Sequence, residues 1–253
     1  MTYEAKAPDK TSDSLGFRPK RFWKTVAVNE INGGYSVSLD GRAVKTPKGQ
    51  ELVLPNDTVA SRVEAEWAAV GDHVEFSDMP MTRLGFAAVD RMGDVLDETL
   101  VEVTRYSETD LVCYPAEYPQ ALVAREDAAW KPILVWADTE LDLQFHQNKS
   151  IIHQPQPAET IHRIQSLIAN ASVYEQAGIM QAIPLLGSVV LALALWRGHL
   201  TGAQAFAASR VGEDFQSETW GHDEEAAKRA DHMRRQAENL EIWFKSLAPT
   251  ISR

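Results

Sequence analysis

One cysteine, Cys113, stands in a chain of 253 residues. It leaves no way to build an internal disulfide framework or a multi-cysteine zinc site, and it fits a reducing compartment. Basic residues are also scarce: 25 Lys and Arg face 36 Asp and Glu, for a net charge of −11. That balance excludes a general binder of nucleic acid or of anionic membrane surfaces, because phosphate surfaces require a basic footprint. A long, clean apolar run is missing too. The best stretch, Ala177 to Trp196, is interrupted by Gln181, Pro184 and the Gly187-Ser188 pair, whereas a span needs about 20 predominantly apolar residues. It reads as a buried core helix, so no membrane insertion is expected. The first residues have no apolar h-region and carry Glu4, Asp9 and Asp13, unlike a secretory signal or an acid-poor transit peptide. The expectation is a cytoplasmic protein.

Motifs of chemistry are absent as well. The sequence has no G-x-x-x-x-G-K-[ST] and no G-x-G-x-x-G, so no nucleotide site is expected. It has no G-x-S-x-G elbow. Ser188 follows Gly187 inside an apolar run, where its hydroxyl is expected to satisfy a backbone carbonyl. Cys113, in Leu111-Val112-Cys113-Tyr114, reads as a buried structural thiol. Seven histidines are scattered without H-E-x-x-H spacing. His222-Asp223 and Asp231-His232 come nearest to a ligand set, and surface polar residues are their plainer reading. The sequence therefore predicts no catalytic residue, no metal site and no cofactor. An enzyme working through His222, Asp223 and His232 is the alternative.

What is present is globular composition, 44% hydrophobic and 24% charged. After a polar, aperiodic stretch at 1–16, read as a mobile tail, short alternating runs are punctuated by Asn32-Gly33-Gly34, Asp40-Gly41 and Pro47-Lys48-Gly49. This is the pattern of an antiparallel meander with strands at 23–28, 35–39, 43–46 and 51–54. A helix follows, with Asn56 as N-cap and Val59, Val63 and Trp67 on one face. Gly71 is placed to end it, and a short strand at 74–76 is expected to rejoin the sheet. Beyond Met79-Pro80 the period is helical: 82–92, 95–106, 119–137, 158–175, 178–197, 202–218 and 223–247, with 141–156 as a connector. The fold class predicted is α+β. A small β-rich α/β domain (17–80) precedes a larger all-α domain (81–253).

Two stretches draw attention for binding. Residues 94–127 hold nine acids against Arg105 and Arg125, either a solvated helical face or an acidic docking surface for a basic protein. That second reading leaves an acidic scaffold as a further alternative. The other stretch is Glu213-Asp214-Phe215-Gln216-Ser217-Glu218-Thr219-Trp220-Gly221. Glu213, Gln216 and Trp220 recur at i, i+3 and i+7, on one helix face just before a glycine stop. Trp beside acids either seals a core edge or anchors an interface.

Taken in order, a set of residues resembles a known family. The set is Arg21-Phe22-Trp23-Lys24, Leu39-Asp40-Gly41-Arg42 with Lys45-Thr46-Pro47, Glu66-Trp67, Asp110-Leu111-Val112-Cys113-Tyr114, Trp130, Trp136-Ala137 and Glu213 to Gly221. It is similar to that of the assembly chaperones for the α subunit of F-type ATP synthase, found in mitochondria and α-proteobacteria. The resemblance runs from about residue 20 to the C-terminal helix. It implies a non-enzymatic protein that binds the unassembled α subunit, prevents its aggregation and yields it to the β subunit. It also implies a β-rich N-terminal domain ahead of a helical one. Acidic positions before the Trp-Gly pair matter in the family; this carries over most directly to Glu213, then to Asp214 and Glu218. With Phe215, Gln216 and Trp220 these make the expected partner-binding set. The family's mitochondrial members carry an import sequence that this start lacks, which points to a bacterial version.

Overall fold

Two tight turns set the N-terminal sheet in the computed structural model, which describes residues 19–92, 95–149, 152–221 and 223–248. The stretch expected as a tail, 1–16, lies outside the described residues. Strand β1 (Val26–Ile31) reverses through Asn32-Gly33 into β2 (Gly34–Leu39), and β2 reverses through Asp40-Gly41 into β3 (Arg42–Ala43). Asp40 and Gly41 sit at φ 48° and 78°, the left-handed pair that a two-residue hairpin of matching twist requires. Strand β4 (Val53–Leu54) pairs with the start of β2 through Tyr35↔Leu54 and Ser36↔Val53. β2 is thus central, with β1 on one side and β3 and β4 sharing the other. Beyond β3, the longer strands expected at 43–46 and 51–54 are joined only by an isolated Lys45↔Glu51 bridge.

Helix α1 (Asp57–Ala69) begins where Asn56 Oδ1 accepts the Val59 N–H at 2.9 Å. Val59, Val63 and Trp67 are buried, as their spacing predicts. The helix leaves its period at Val70, one residue before the expected glycine. In place of a strand at 74–76 there is a Lys20↔His73 bridge and then a 3₁₀ turn, Phe76–Asp78. Helix α2 (Pro80–Ala87) starts with proline, and the Glu66 carboxylate accepts the N–H groups of Met81 (2.7 Å) and Thr82 (2.8 Å). These are two of the donors that a helix start leaves free. A π-helical turn, Ala88–Met92, continues α2. The chain divides into compact units between Arg91 and Met92, eleven residues past the expected boundary at 80/81. The reason is α2: it packs on α1, and Gly85 lies so near the Leu52 and Leu54 methyls that a Cβ would meet them at 3.1 and 3.2 Å.

The second unit is helical: α3 (Leu96–Glu108), a 3₁₀ turn (Leu111–Cys113), α4 (Gln120–Leu141), α5 (Ala158–Ala169), α6 (Val173–Leu186), α7 (Val189–Trp196), α8 (Gly202–Ser209), α9 (Val211–Trp220) and α10 (Glu224–Leu247). Three expected helices are each broken in two. Residues 158–175 part at Ser172, whose hydroxyl and Glu175 form a reciprocal capping box opening α6. Residues 178–197 part at Gly187, at φ 63°, followed by Ser188 as N-cap of α7. Residues 202–218 part at Arg210. Ser188 therefore serves differently from the expectation: its Oγ accepts the Leu191 N–H at 3.0 Å instead of donating to a carbonyl of its own helix.

Around α7 the core closes. Val189 through Leu195 are all buried, with α3, α4, α6, α8 and α10 packed about them. Gly202 permits α8 to lie against α10, since a Cβ there would be 2.4 Å from the Ala237 carbonyl oxygen. The Trp243 indole N–H donates to the Tyr174 carbonyl at 2.9 Å and ties α10 to α6. Among the described residues no helix is long and apolar enough to cross a membrane.

Candidate functional site

Helix α9 differs from its neighbours in having no buried residue among those described. Its N-terminus has no side-chain cap, but Glu213 and Asp214 lie in the first turn, where carboxylates favour the helix dipole. Its C-terminus stops at Gly221, at φ 103°, a backbone angle that a Cβ disfavours. Residues 211, 215 and 218 fall on one side, and that side faces α4, on which α9 packs. There Arg125 of α4 forms an ion pair with Glu218 at 2.7 Å and lays its guanidinium 5.2 Å from the centre of the Phe215 ring. The bond from Arg125 holds the Glu218 carboxyl below its ordinary range and raises the arginine. At the start of the helix Arg210 pairs with Asp214 at 3.6 Å. The Trp130 indole, one turn along α4, donates to the Ala208 carbonyl at 2.8 Å and fixes the end of α8.

The six expected residues are thereby separated into two groups. Phe215 and Glu218 are engaged with Arg125, and Asp214 with Arg210. Glu213 and Gln216 point the other way; both are exposed, and neither has a hydrogen bond or ion pair among the described residues. The helical register puts position 220 on that outward side; the Trp220 side chain lies outside the described residues. The sequence reading missed the two arginines that hold the inner side. A signal existed in Arg125, one of only two bases in an acidic stretch.

The acidic segment does not form one face. Asp110 is buried, and its carboxylate accepts the N–H groups of Val189 (2.7 Å), Val190 (3.1 Å) and Val112 (3.2 Å). Burial pushes this carboxyl up to about 6. Glu126 is buried and accepts the Ala116 N–H at 2.6 Å, its carboxyl also raised by burial. Glu108 accepts the Gln156 N–H, and Asp127 pairs with Lys131 at 2.7 Å. Asp97, Glu98 and Glu102 stay exposed on α3, and Glu117 stays exposed beyond it; Asp94 lies outside the described residues.

Elsewhere little converges. Asp223 caps α10 by accepting the Glu225 N–H, and His232 contacts the Gln236 side chain. His222 lies outside the described residues. Among the described residues no three His, Cys, Asp or Glu side chains come together as a metal would need. Cys113 is fully buried, and its thiol is raised far above its ordinary value by burial and by the nearby Asp110 charge, which makes it unreactive.

Comparison with known proteins covers the ordered motif set from Arg21 to Ala137. Residues 20–138 match the family of the ATP12 chaperone protein. The crystal structure of Atp12 from Paracoccus denitrificans superposes with a TM-score of 0.86 at 31% identity, over 91% of this chain and 99% of that one. The chain belongs to the ATP12 chaperone family. A protein from Agrobacterium tumefaciens superposes at 0.85 with 34% identity, covering 91% of this chain and 87% of that one. The mitochondrial protein atp12 of Schizosaccharomyces pombe is 25% identical over 219 residues, 82% of this chain and 75% of its own length. The family acts without catalysis, as a chaperone for ATP synthase assembly.

Proposed function

We propose that this ATP12 family member binds the unassembled α subunit of ATP synthase, keeps it from aggregating and yields it to the β subunit, and that it does so through the outward side of α9. The observation that carries the site is the division of α9: its inner side is occupied by Arg125 and Arg210, and its outer side leaves Glu213 and Gln216 free. A subunit awaiting its partner exposes an apolar patch that risks association. A holder needs exposed polar groups around an anchor, with an affinity low enough for displacement. Competition by the next subunit then releases the client, in accord with a sequence that has no nucleotide motif.

The test is co-expression of this chain with the α subunit of the same host, with and without β, reading the soluble fraction of α. The expected result is soluble α only when this chain is present, release on adding β, and loss of the effect with Glu213→Lys. Soluble α with unchanged affinity in a folded Glu213→Lys protein would sink the site; insoluble α with no complex would sink the partner.

A further inference from the structure

Helices α5, α6 and α7 surround a pocket of about 320 Å³ whose lining runs against the charge of the chain. Its size is at the small end of the range for small-molecule sites, roughly 300–1,000 Å³. Arg163 and Arg197 line it with a single acid, Glu175, so a protein of net charge −11 presents an excess of positive charge here. In the same unit Arg125, Arg210, Arg229, Arg234 and Arg235 each pair with an acid. Arg163 and Arg197 have no such pair among the described residues.

Each arginine is instead held in a way that leaves its end free. Arg163 donates from Nε to the Leu141 carbonyl at 3.2 Å, at the end of α4, and its terminal nitrogens make no bond among the described residues. Arg197 lays its guanidinium carbon 4.0 Å from the centre of the Trp196 ring. Such a contact uses the guanidinium face and leaves its N–H edge for a planar acceptor. Trp196 is itself fixed, since its indole N–H donates to Glu175 Oε1 at 3.1 Å. The other Glu175 oxygen accepts the Ser172 N–H and hydroxyl, both at 2.8 Å. Glu175 is thus spent on Trp196 and on the start of α6, and not on the arginines.

The charge of the lining selects the ligand. A carboxylate accepts paired N–H donors from a guanidinium edge, and its single charge matches two arginines set against one acid. A phosphate dianion would set a second negative charge beside Glu175, and like charges brought together are costly. Leu167 and Ala171, half-buried in the lining, suit the short apolar stem that carries a carboxylate. We propose that this pocket binds a single carboxylate group through the free N–H groups of Arg163 and Arg197. It uses no residue of α9.

The test is an NMR titration of the full chain, at fixed ionic strength, with two probes. One is N-acetylglutamic acid α-amide, a single carboxylate on a peptide body; the other is its neutral glutamine counterpart. The Trp196 indole N–H and the Arg163 and Arg197 Nε–H signals are expected to shift saturably with the acid, at a Kd of about 1–10 mM. The neutral probe is expected to leave them in place. Arg197→Gln, at an exposed side chain, should melt near wild type and raise that Kd at least about tenfold. If it unfolds the chain, Arg197→Lys, which keeps the charge and loses the fork, should raise it about threefold. Capture of the ATP synthase α subunit then separates the sources of the carboxylate, an arm that rests on the chaperone reading above. Capture weakened several-fold by Arg197→Gln assigns the carboxylate to the client; capture unchanged while the titration is lost assigns it to a free small molecule. Equal shifts with both probes, or none with either, overturn the proposal, and so does inorganic phosphate binding more tightly than the acid. A wild-type chain that titrates but captures no α subunit sinks the chaperone reading alone.

Discussion

Helices α7 and α9 belong to one unit and have similar lengths, yet their surroundings are opposite. Val189 through Leu195 of α7 are all buried, and the N-terminus is held by the Ser188 hydroxyl and the Asp110 carboxylate. α9 has no buried residue among those described and no side-chain cap, and it is held by ion pairs at partly exposed arginines. In α7 the side chains are committed inward and the energy lies in packing and desolvated hydrogen bonds. In α9 the outward Glu213 and Gln216 make no hydrogen bond or ion pair among the described residues. A stable core can carry a helix whose outward polar side chains add little to the fold. The contrast predicts that substitutions in α7 unfold the protein, whereas substitutions on the outer side of α9 leave it folded.

The sharpest break in that contrast is at Asp110. Asp110→Ala strands the N–H groups of Val112, Val189 and Val190 in the interior, each worth about 1–3 kcal/mol. A loss of at least about 4 kcal/mol, or about 10 °C in Tm, is expected from thermal melting. Leu193→Ala, at a fully buried position, is expected to lose about 2–5 kcal/mol through lost transfer energy and cavity formation. Asp110→Asn probes charge. Burial raises this carboxyl from 3.8 to about 6. A group held protonated more firmly when folded contributes stability that is whole below pH 3.8 and is lost as pH rises through about 6. That loss is on the order of 3 kcal/mol. Measured against wild type, Asp110→Asn should gain relative stability between about pH 4 and about pH 7. A pH-independent difference would contradict a buried, reluctantly ionised acid.

The same contrast separates what the sequence disclosed from what it withheld. Period and turn chemistry are local, so the Asn56 cap, the Asp40-Gly41 hairpin and the Val59-Val63-Trp67 face could be read directly. The breaks at Ser172, Gly187-Ser188 and Arg210 were hidden because apolar spacing continues through them while capping bonds interrupt the backbone. The motif residues that disclosed the family largely build the fold. Trp23 and Trp67 stack edge to face with centroids 5.3 Å apart, Glu66 caps α2, Asp110 caps α7, and Trp130 secures α8. Nine acids in 94–127 looked like one surface; tertiary contacts bury Asp110 and Glu126, which a charge count cannot anticipate, and Lys131, just past the counted stretch, pairs Asp127 along α4. On α9, spacing alone grouped Glu213, Gln216 and Trp220, but the roles of Asp214, Phe215 and Glu218 depended on arginines distant in sequence or across a helix break.

Smaller effects sharpen the α9 side. Arg125→Ala removes the Glu218 ion pair and the cation over Phe215. Both lie at the surface and are screened, so a Tm change of no more than about 2 °C is expected, with any client defect arising from a looser α9. Glu213→Lys should have the least effect on stability and the greatest on function. The side chain is exposed and makes no bond among the described residues, so the folded state loses nothing by its removal. A lysine in the first turn opposes the helix dipole and brings Arg210 a like-charged neighbour, a cost that solvent keeps small. Tm should stay within about 2 °C of wild type. Binding should respond differently, because reversing a charge at an interface replaces an attraction by a repulsion and changes association and its salt dependence. The decisive pairing is a melt with client capture measured at low and at high salt. An unchanged melt with capture lost, and partly restored by salt, places Glu213 against a basic surface of the client. A lowered melt would mean that the outer side of α9 is structural after all, and the division drawn between its two sides would fail.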